Sequence, residues 1–200
     1  MPEIRKSDPS SNESYKGKHR FEHWYRDNQV YFLTSRCRDQ FHCFKSEVAK
    51  SVFWDRFRHY TQEYGFVPWV TSLLDNHYHA LGYLKVGENL GPMMQRLHGS
   101  VAKLVNDLLD ERHSPFWHDR KNASYMDGCI RDVVQCRRAY VYTMTQAVRH
   151  GIVKDWRRYP HTIVDIDLER GVKRALELKA FLEGVSYRRY RRRAKGRQGR

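Results

Sequence analysis

Phe66-Val67-Pro68-Trp69-Val70-Thr71-Ser72-Leu73-Leu74, then Asp75-Asn76, then His77-Tyr78-His79-Ala80-Leu81-Gly82-Tyr83-Leu84: this stretch decides the fold. Two runs rich in β-branched, aromatic and aliphatic residues flank two residues of turn chemistry. The pattern predicts a β-hairpin with strands 66–74 and 77–84. Pro68 donates no backbone hydrogen bond, so it suggests an edge or a bulge in the first arm. Gly82 interrupts the second arm where an apolar side chain is expected.

Working upstream, residues 45–64 carry Val48, Val52, Phe53, Phe57, Tyr60 and Tyr64 at helical spacing, and Gly65 stops them. Val30 to Thr34 reads as a first strand. Downstream, Gly87 to Gly91 reads as a loop. Pro92 to Leu109 reads as a second helix, with Met93, Leu97, Val101, Leu104, Val105 and Leu108 in phase. Residues 113–130 hold a loop and a fourth strand. Asp132 is the N-cap of a third helix from Val133 to His150, closed by Gly151. The order β-α-β-β-α-β-α is the split βαβ pattern of an α+β, ferredoxin-like domain. It predicts a four-stranded antiparallel sheet with two helices on one face and an extra C-terminal helix. Residues 1–20 read as a disordered arm, 21–165 as the folded domain, 166–184 as a further helix and 185–200 as a basic tail.

The chain has 200 residues, 40% hydrophobic and 14% aromatic, enough for one ordinary domain. Its formal net charge of +14 attracts polyanions. No apolar run approaches the roughly 20 residues of a membrane span, so nucleic acid is the expected polyanion. The cysteines, Cys37, Cys43, Cys129 and Cys136, have no C-x-x-C spacing. They read as reduced thiols of a cytosolic protein. The N-terminus has no apolar core of a secretory signal.

Alternation along a strand points His77 and His79 to one face and Tyr78 to the other, with the imidazoles roughly 6.5 Å apart at their bases. Two neutral imidazoles can converge on one divalent ion. Alone, an H-x-H is more often two surface or half-buried histidines. Here it lies in a hairpin arm and has partners downstream, in Tyr142-Thr143-Met144-Thr145-Gln146. Along that helix Val133, Tyr140, Val141, Met144 and Val148 form an apolar face. Arg138, Tyr142, Thr145, Gln146 and Arg149 form a polar one, at spacings of three, four and seven. A phenol is a poor nucleophile at neutral pH, and neighbouring cations such as Arg138 and Arg149 favour its anion. Attack by Tyr142 on a phosphodiester would leave a phosphotyrosine and a free 3′-hydroxyl. One phosphodiester replaces another, so the step is reversible without ATP, and no P-loop motif is present. Gln146 offers a carbonyl oxygen as a third ligand.

Leu74-Asp75-Asn76-His77-Tyr78-His79-Ala80-Leu81 resembles the histidine strand of the single-tyrosine HUH transposases, particularly the REP-associated branch. Tyr142 to Val153 resembles their catalytic helix and the loop that leaves it. The resemblance runs from about Tyr25 to Pro160. It implies a ferredoxin-like fold and cleavage and rejoining of hairpin-bearing single-stranded DNA through a 5′-phosphotyrosine, with Mg²⁺ or Mn²⁺. It implies His77 and His79 as metal ligands, Tyr142 as nucleophile and Gln146 at the third ligand position. It also implies a cytoplasmic protein working at the bacterial nucleoid, as monomer or homodimer. REP-associated members commonly carry Asn-Pro where this chain has Gln146-Ala147, and the Gln is like the insertion-sequence branch.

Contacts to DNA are expected from Arg138 and Arg149, from Arg157 and Arg158 beside Trp156 and Tyr159, and from Arg188, Arg189, Arg191, Arg192 and Arg193. The last five interleave with Tyr187 and Tyr190 in a tail whose sixteen residues hold eight Arg or Lys. Arginine binds phosphate, tyrosine stacks on unpaired bases, and even an unstructured tail raises affinity through counterion release. Two other readings compete: a hairpin-binding protein without chemistry, and a metal nuclease in which water attacks. The second lacks an Asp or Glu beside the histidines to act as base.

Overall fold

A computed structural model describes residues 26–117 and 125–170. The expected arm, the tail with its five arginines and most of the expected helix 166–184 lie outside the described residues. The chain divides after Ile163.

The elements follow in the order β1 (Gln29–Arg36), α1 (Glu47–Tyr64), β2 (Phe66–Leu73), β3 (His77–Leu84), α2 (Leu90–Asn106), β4 (Met126–Cys129), α3 (Val133–Met144), α4 (Gln146–Arg149) and β5 (Thr162–Val164). The sheet order is β4-β1-β3-β2-β5, with the β1–β3, β2–β3 and β1–β4 pairs antiparallel. Its first four strands have the split βαβ arrangement expected from the sequence. The fifth strand is the correction. It is three residues long, too short to show a period, and it lies beside the outer edge of β2. Leu73 N donates to His161 O at 2.9 Å, and the hydroxyls of Ser72 and Thr162 meet at 2.9 Å.

Capping chemistry sets the helix ends. Ser46 Oγ accepts from Ala49 N, and Gly65 adopts φ 75°, which ends α1 in the left-handed region. Asp132 accepts from Gln135 N at the start of α3. The inward face of α1 is Ala49, Phe53, Trp54, Phe57 and Thr61, whereas Val48 is exposed. The inward face of α2 is Met93, Met94, Leu97, His98, Val101 and Val105; Leu104 and Leu108 face outward. These faces close over Tyr31, Leu33 and Tyr78 to form one core.

The register shift between Pro68 and Val70 is the bulge that Pro68 suggested. It also accounts for Gly82, which pairs with Pro68. A Cβ at Gly82 would lie 2.5 Å from both the Phe66 ring and the Val67 carbonyl oxygen. The glycine therefore belongs to the bulge, where two backbones and a ring approach closely.

The expected single helix from Val133 to His150 is instead two. It breaks at Thr145, which has φ −97° and ψ 12°. The local hydrogen bonds explain the break. Thr143 and Thr145 hydroxyls donate back to the carbonyls of Ala139 and Val141, each at 2.8 Å, and such bonds bend helices. The apolar face read from the sequence is also corrected. Val133 and Val141 are 65% and 50% exposed. The buried positions are Tyr140 and Thr143 on α3 and Gln146 and Ala147 on α4. Of the expected apolar face, Tyr140 is buried and Met144 and Val148 are half-buried, whereas Val133 and Val141 face water.

Candidate active site

The site forms on the face of the sheet opposite α1 and α2. Tyr78 points into the core, its ring 4.9 Å from that of Phe53 and its hydroxyl 2.9 Å from His98 Nε2. His77 and His79 therefore point the other way, with ring centroids 5.1 Å apart. Both are nearly buried, at 5% and 7% exposure.

Each ring has its inner nitrogen occupied. His77 Nδ1 donates to Asn76 Oδ1 at 2.6 Å. His79 Nδ1 meets the Thr34 hydroxyl, whose oxygen also lies 3.4 Å from the Tyr78 carbonyl oxygen. Nε2 of His77 is thus the atom left with a lone pair, and Nε2 of His79 is the same when its Nδ1 carries the proton. Burial is the main cause that pushes the His77 pKa down to about 4 and the His79 pKa down to about 3, and the charges of Arg36 and His150 act in the same direction. Both rings are neutral at pH 7, the form that ligates a metal.

Tyr142 on α3 comes down beside them. Its ring centroid is 5.2 Å from that of His79 and stands edge-on to it. Phe32 on β1 holds the other side, stacked parallel on His79 at 5.7 Å and edge-on to Tyr142 at 6.1 Å. The Arg149 guanidinium lies 4.9 Å from the Tyr142 ring centroid, over its face. Tyr142 remains 38% exposed.

Gln146 sits deeper than expected, at 1% exposure. Its amide nitrogen donates to the Tyr142 carbonyl at 2.9 Å. That leaves the carboxamide oxygen as the acceptor available beside His77, whose pKa Gln146 raises against the effect of burial. This donor set, two imidazole nitrogens and a carboxamide oxygen, fits a divalent ion such as Mg²⁺ or Mn²⁺ as a partial shell completed by water and phosphate oxygens. Among the described residues no group of three or more His, Cys, Asp or Glu side chains could hold a metal ion, so a third protein ligand beside the two imidazoles would have to be of another type, as Gln146 is.

Four residues at the site had no role assigned from the sequence. Phe32, Thr34 and Arg36 alternate on one face of β1, and the register sets Thr34 opposite His79 and Arg36 opposite His77. The alternation was legible, but the strand pairing that brings them to the histidines was not. His150, whose ring centroid is 5.1 Å from that of His77, is the fourth. Its signal was the four-residue spacing from Gln146. Of the expected DNA contacts, Arg149 joins the site, Arg138 is exposed one turn before Tyr142, and Arg157 and Arg158 are exposed elsewhere. The Arg157 guanidinium lies over the Trp156 ring at 4.8 Å and pairs with Asp155 at 3.4 Å. Tyr159 is structural, since its hydroxyl donates to Leu73 O at 2.9 Å in the interior. All four cysteines are free thiols. No helix of the described residues is long and apolar enough to cross a membrane.

No protein-family model matches the chain, and no curated protein matches it. Among solved structures, the chain is similar to a REP-associated tyrosine transposase bound to a REP hairpin. The TM-score is 0.60 at 16% identity, over 78% of this chain and 87% of that one. A protein from Deinococcus radiodurans R1 assigned as a transposase also matches, with TM-score 0.43 at 14% identity over 62% of this chain and 95% of that one. The chain has the fold of a tyrosine transposase.

Proposed function

We propose that this protein is a DNA strand transferase, cleaving and rejoining single-stranded DNA beside a hairpin. What supports the reading is the meeting of two imidazoles from the sheet with a phenol from a separate helix, at ring separations of 5.1 and 5.2 Å. The Tyr142 oxygen attacks the scissile phosphorus. The P–Oη bond forms as the P–O3′ bond breaks. The phenol proton leaves to solvent and the departing 3′-oxygen takes up a proton, giving a 5′-phosphotyrosine and a free 3′-hydroxyl. A second 3′-hydroxyl reverses the step and joins a new strand, so transposition and recombination need no further energy source.

His77, His79 and Gln146 would hold Mg²⁺ or Mn²⁺, which when bound withdraws charge from the phosphate oxygens. Asn76 and Thr34 orient the two rings, and burial keeps them neutral. Phe32, His79 and Arg149 fix the plane of the Tyr142 ring. Arg138, Arg149, Arg157 and Arg158 attract the backbone, with Arg188, Arg189, Arg191, Arg192 and Arg193 adding to the charge. The hairpin partner is inferred from the related transposase that binds one, and the reaction suits either a monomer or a homodimer in the cytoplasm.

The test is incubation of the protein with a stem-loop oligonucleotide carrying unpaired flanks, in Mn²⁺, followed by a denaturing gel. A covalent adduct that Tyr142→Phe abolishes is expected. Cleavage that survives Tyr142→Phe would mean that water attacks. Hairpin affinity that survives chelation with no product in any metal would mean a binding protein without chemistry.

A further inference from the structure

Arg36 closes β1 directly opposite His77 in the antiparallel register. Cross-strand partners bring their Cβ atoms within about 5.5 Å. Phe32 and Thr34, four and two residues earlier on the same face, already touch the site. Arg36 thus stands on the same face and is exposed. Its charge reaches both rings. The neighbouring Asp39 pairs with Arg38 at 3.5 Å, and among the described residues no carboxylate pairs with Arg36.

A permanent cation beside two metal-binding imidazoles is unfavourable with nothing else in the site. Arg149 lies over the Tyr142 ring and the His150 ring beside His77, and among the described residues neither pairs with a carboxylate. The cluster becomes favourable when an anion enters. A guanidinium has a rigid fork of donors that matches two oxygens of one phosphate. Arg149 lies over the Tyr142 ring on the α3 side of the site, whereas Arg36 stands on the β1 side, opposite His77, with no ion pair among the described residues.

We propose that Arg36 grips the scissile phosphate, its guanidinium hydrogen-bonded to the non-bridging oxygens of the phosphodiester that Tyr142 attacks; this rests on the strand-transfer reading above. Arg36 is then a catalytic residue, touching the reacting group from the β1 side while Tyr142 approaches from α3.

The experiment uses the full chain and a walking series of stem-loop oligonucleotides, each with one neutral methylphosphonate in the unpaired flank. Binding is measured in Ca²⁺, and the cleaved junction is mapped separately in Mn²⁺. Arg36→Ala is expected to weaken binding of the unmodified strand about tenfold or more, and Arg36→Lys to weaken it less. That penalty should vanish for the one oligonucleotide whose methylphosphonate sits at the cleaved junction. Mn²⁺ affinity without DNA should be unchanged or slightly tighter in Arg36→Ala, since a like charge has gone. A penalty that persists on every modified strand, or no penalty at all, overturns the assignment while leaving strand transfer standing. A wild-type protein that forms no adduct at all overturns strand transfer, and the Arg36 assignment with it.

Discussion

Gln146 donates its side-chain amide to the backbone carbonyl of Tyr142 at 2.9 Å, so one carboxamide ties the proposed ligand to the helix of the proposed nucleophile. The bond bridges the break at Thr145. It also fixes which end of the carboxamide faces His77.

Gln146→Leu leaves the Tyr142 carbonyl without that donor in a buried place. The expected cost is about 1–3 kcal/mol, read by urea unfolding. Gln146→Glu keeps an oxygen toward His77 but loses the amide donor and buries a charge. Its stability should be lower than wild type without metal and should recover more than wild type when Mn²⁺ is added. Equal Mn²⁺ responses of the two proteins would remove Gln146 from the ligand set.

Thr34→Val removes the oxygen that orients His79 at nearly constant volume. Losing such an outer hydrogen bond lowers metal affinity about 10–100-fold in characterised sites. Titration of Mn²⁺ followed by electron paramagnetic resonance measures it. An unchanged affinity would show that the ring is held by Phe32 alone.

Gly82→Ala forces a methyl against the Val67 carbonyl oxygen and the Phe66 ring, both 2.5 Å from its position. The ring can swing but the backbone oxygen cannot, so a loss of about 1–3 kcal/mol is expected. Adding Phe66→Leu should restore only part of it, a difference that thermal unfolding resolves.

Stability should fall in acid through His98. Burial pushes its pKa down to about 3 from an unfolded value near 6.5. Above pH 6.5 neither state holds the proton and His98 contributes nothing to pH dependence. Between pH 6.5 and about 3 only the unfolded chain binds it, so stability drops by up to about 1.4 kcal/mol per pH unit. His98→Gln should flatten the slope of unfolding free energy near pH 5 by up to that amount. A slope identical to wild type would mean that His98 is already protonated when folded.

Much of this was legible in the chain. The strand His77–Leu84, the turn before it, the Asp132 cap and the glycine stops at Gly65 and Gly151 follow from local chemistry that neighbouring residues decide. Opposite faces for His77 and Tyr78 follow from alternation alone. What was not legible depends on pairing. Phe32, Thr34 and Arg36 reach the site only through the β1–β3 register, and β5 is too brief to carry a pattern. The break at Thr145 turns on two hydroxyls choosing backbone carbonyls over solvent. The inward face of α3 was misread because Val133 and Val141 are apolar without being covered.

β3 is the middle strand of five, laddered on both flanks by β1 and β2. The imidazole pair is therefore mounted on the part of the molecule whose amides should exchange with solvent last. Tyr142 rides on a helix with its outer turns bare to water. Under the proposed chemistry the two halves of the site would differ in stiffness, a fixed anvil of imidazoles beneath a phenol carried by a less anchored element.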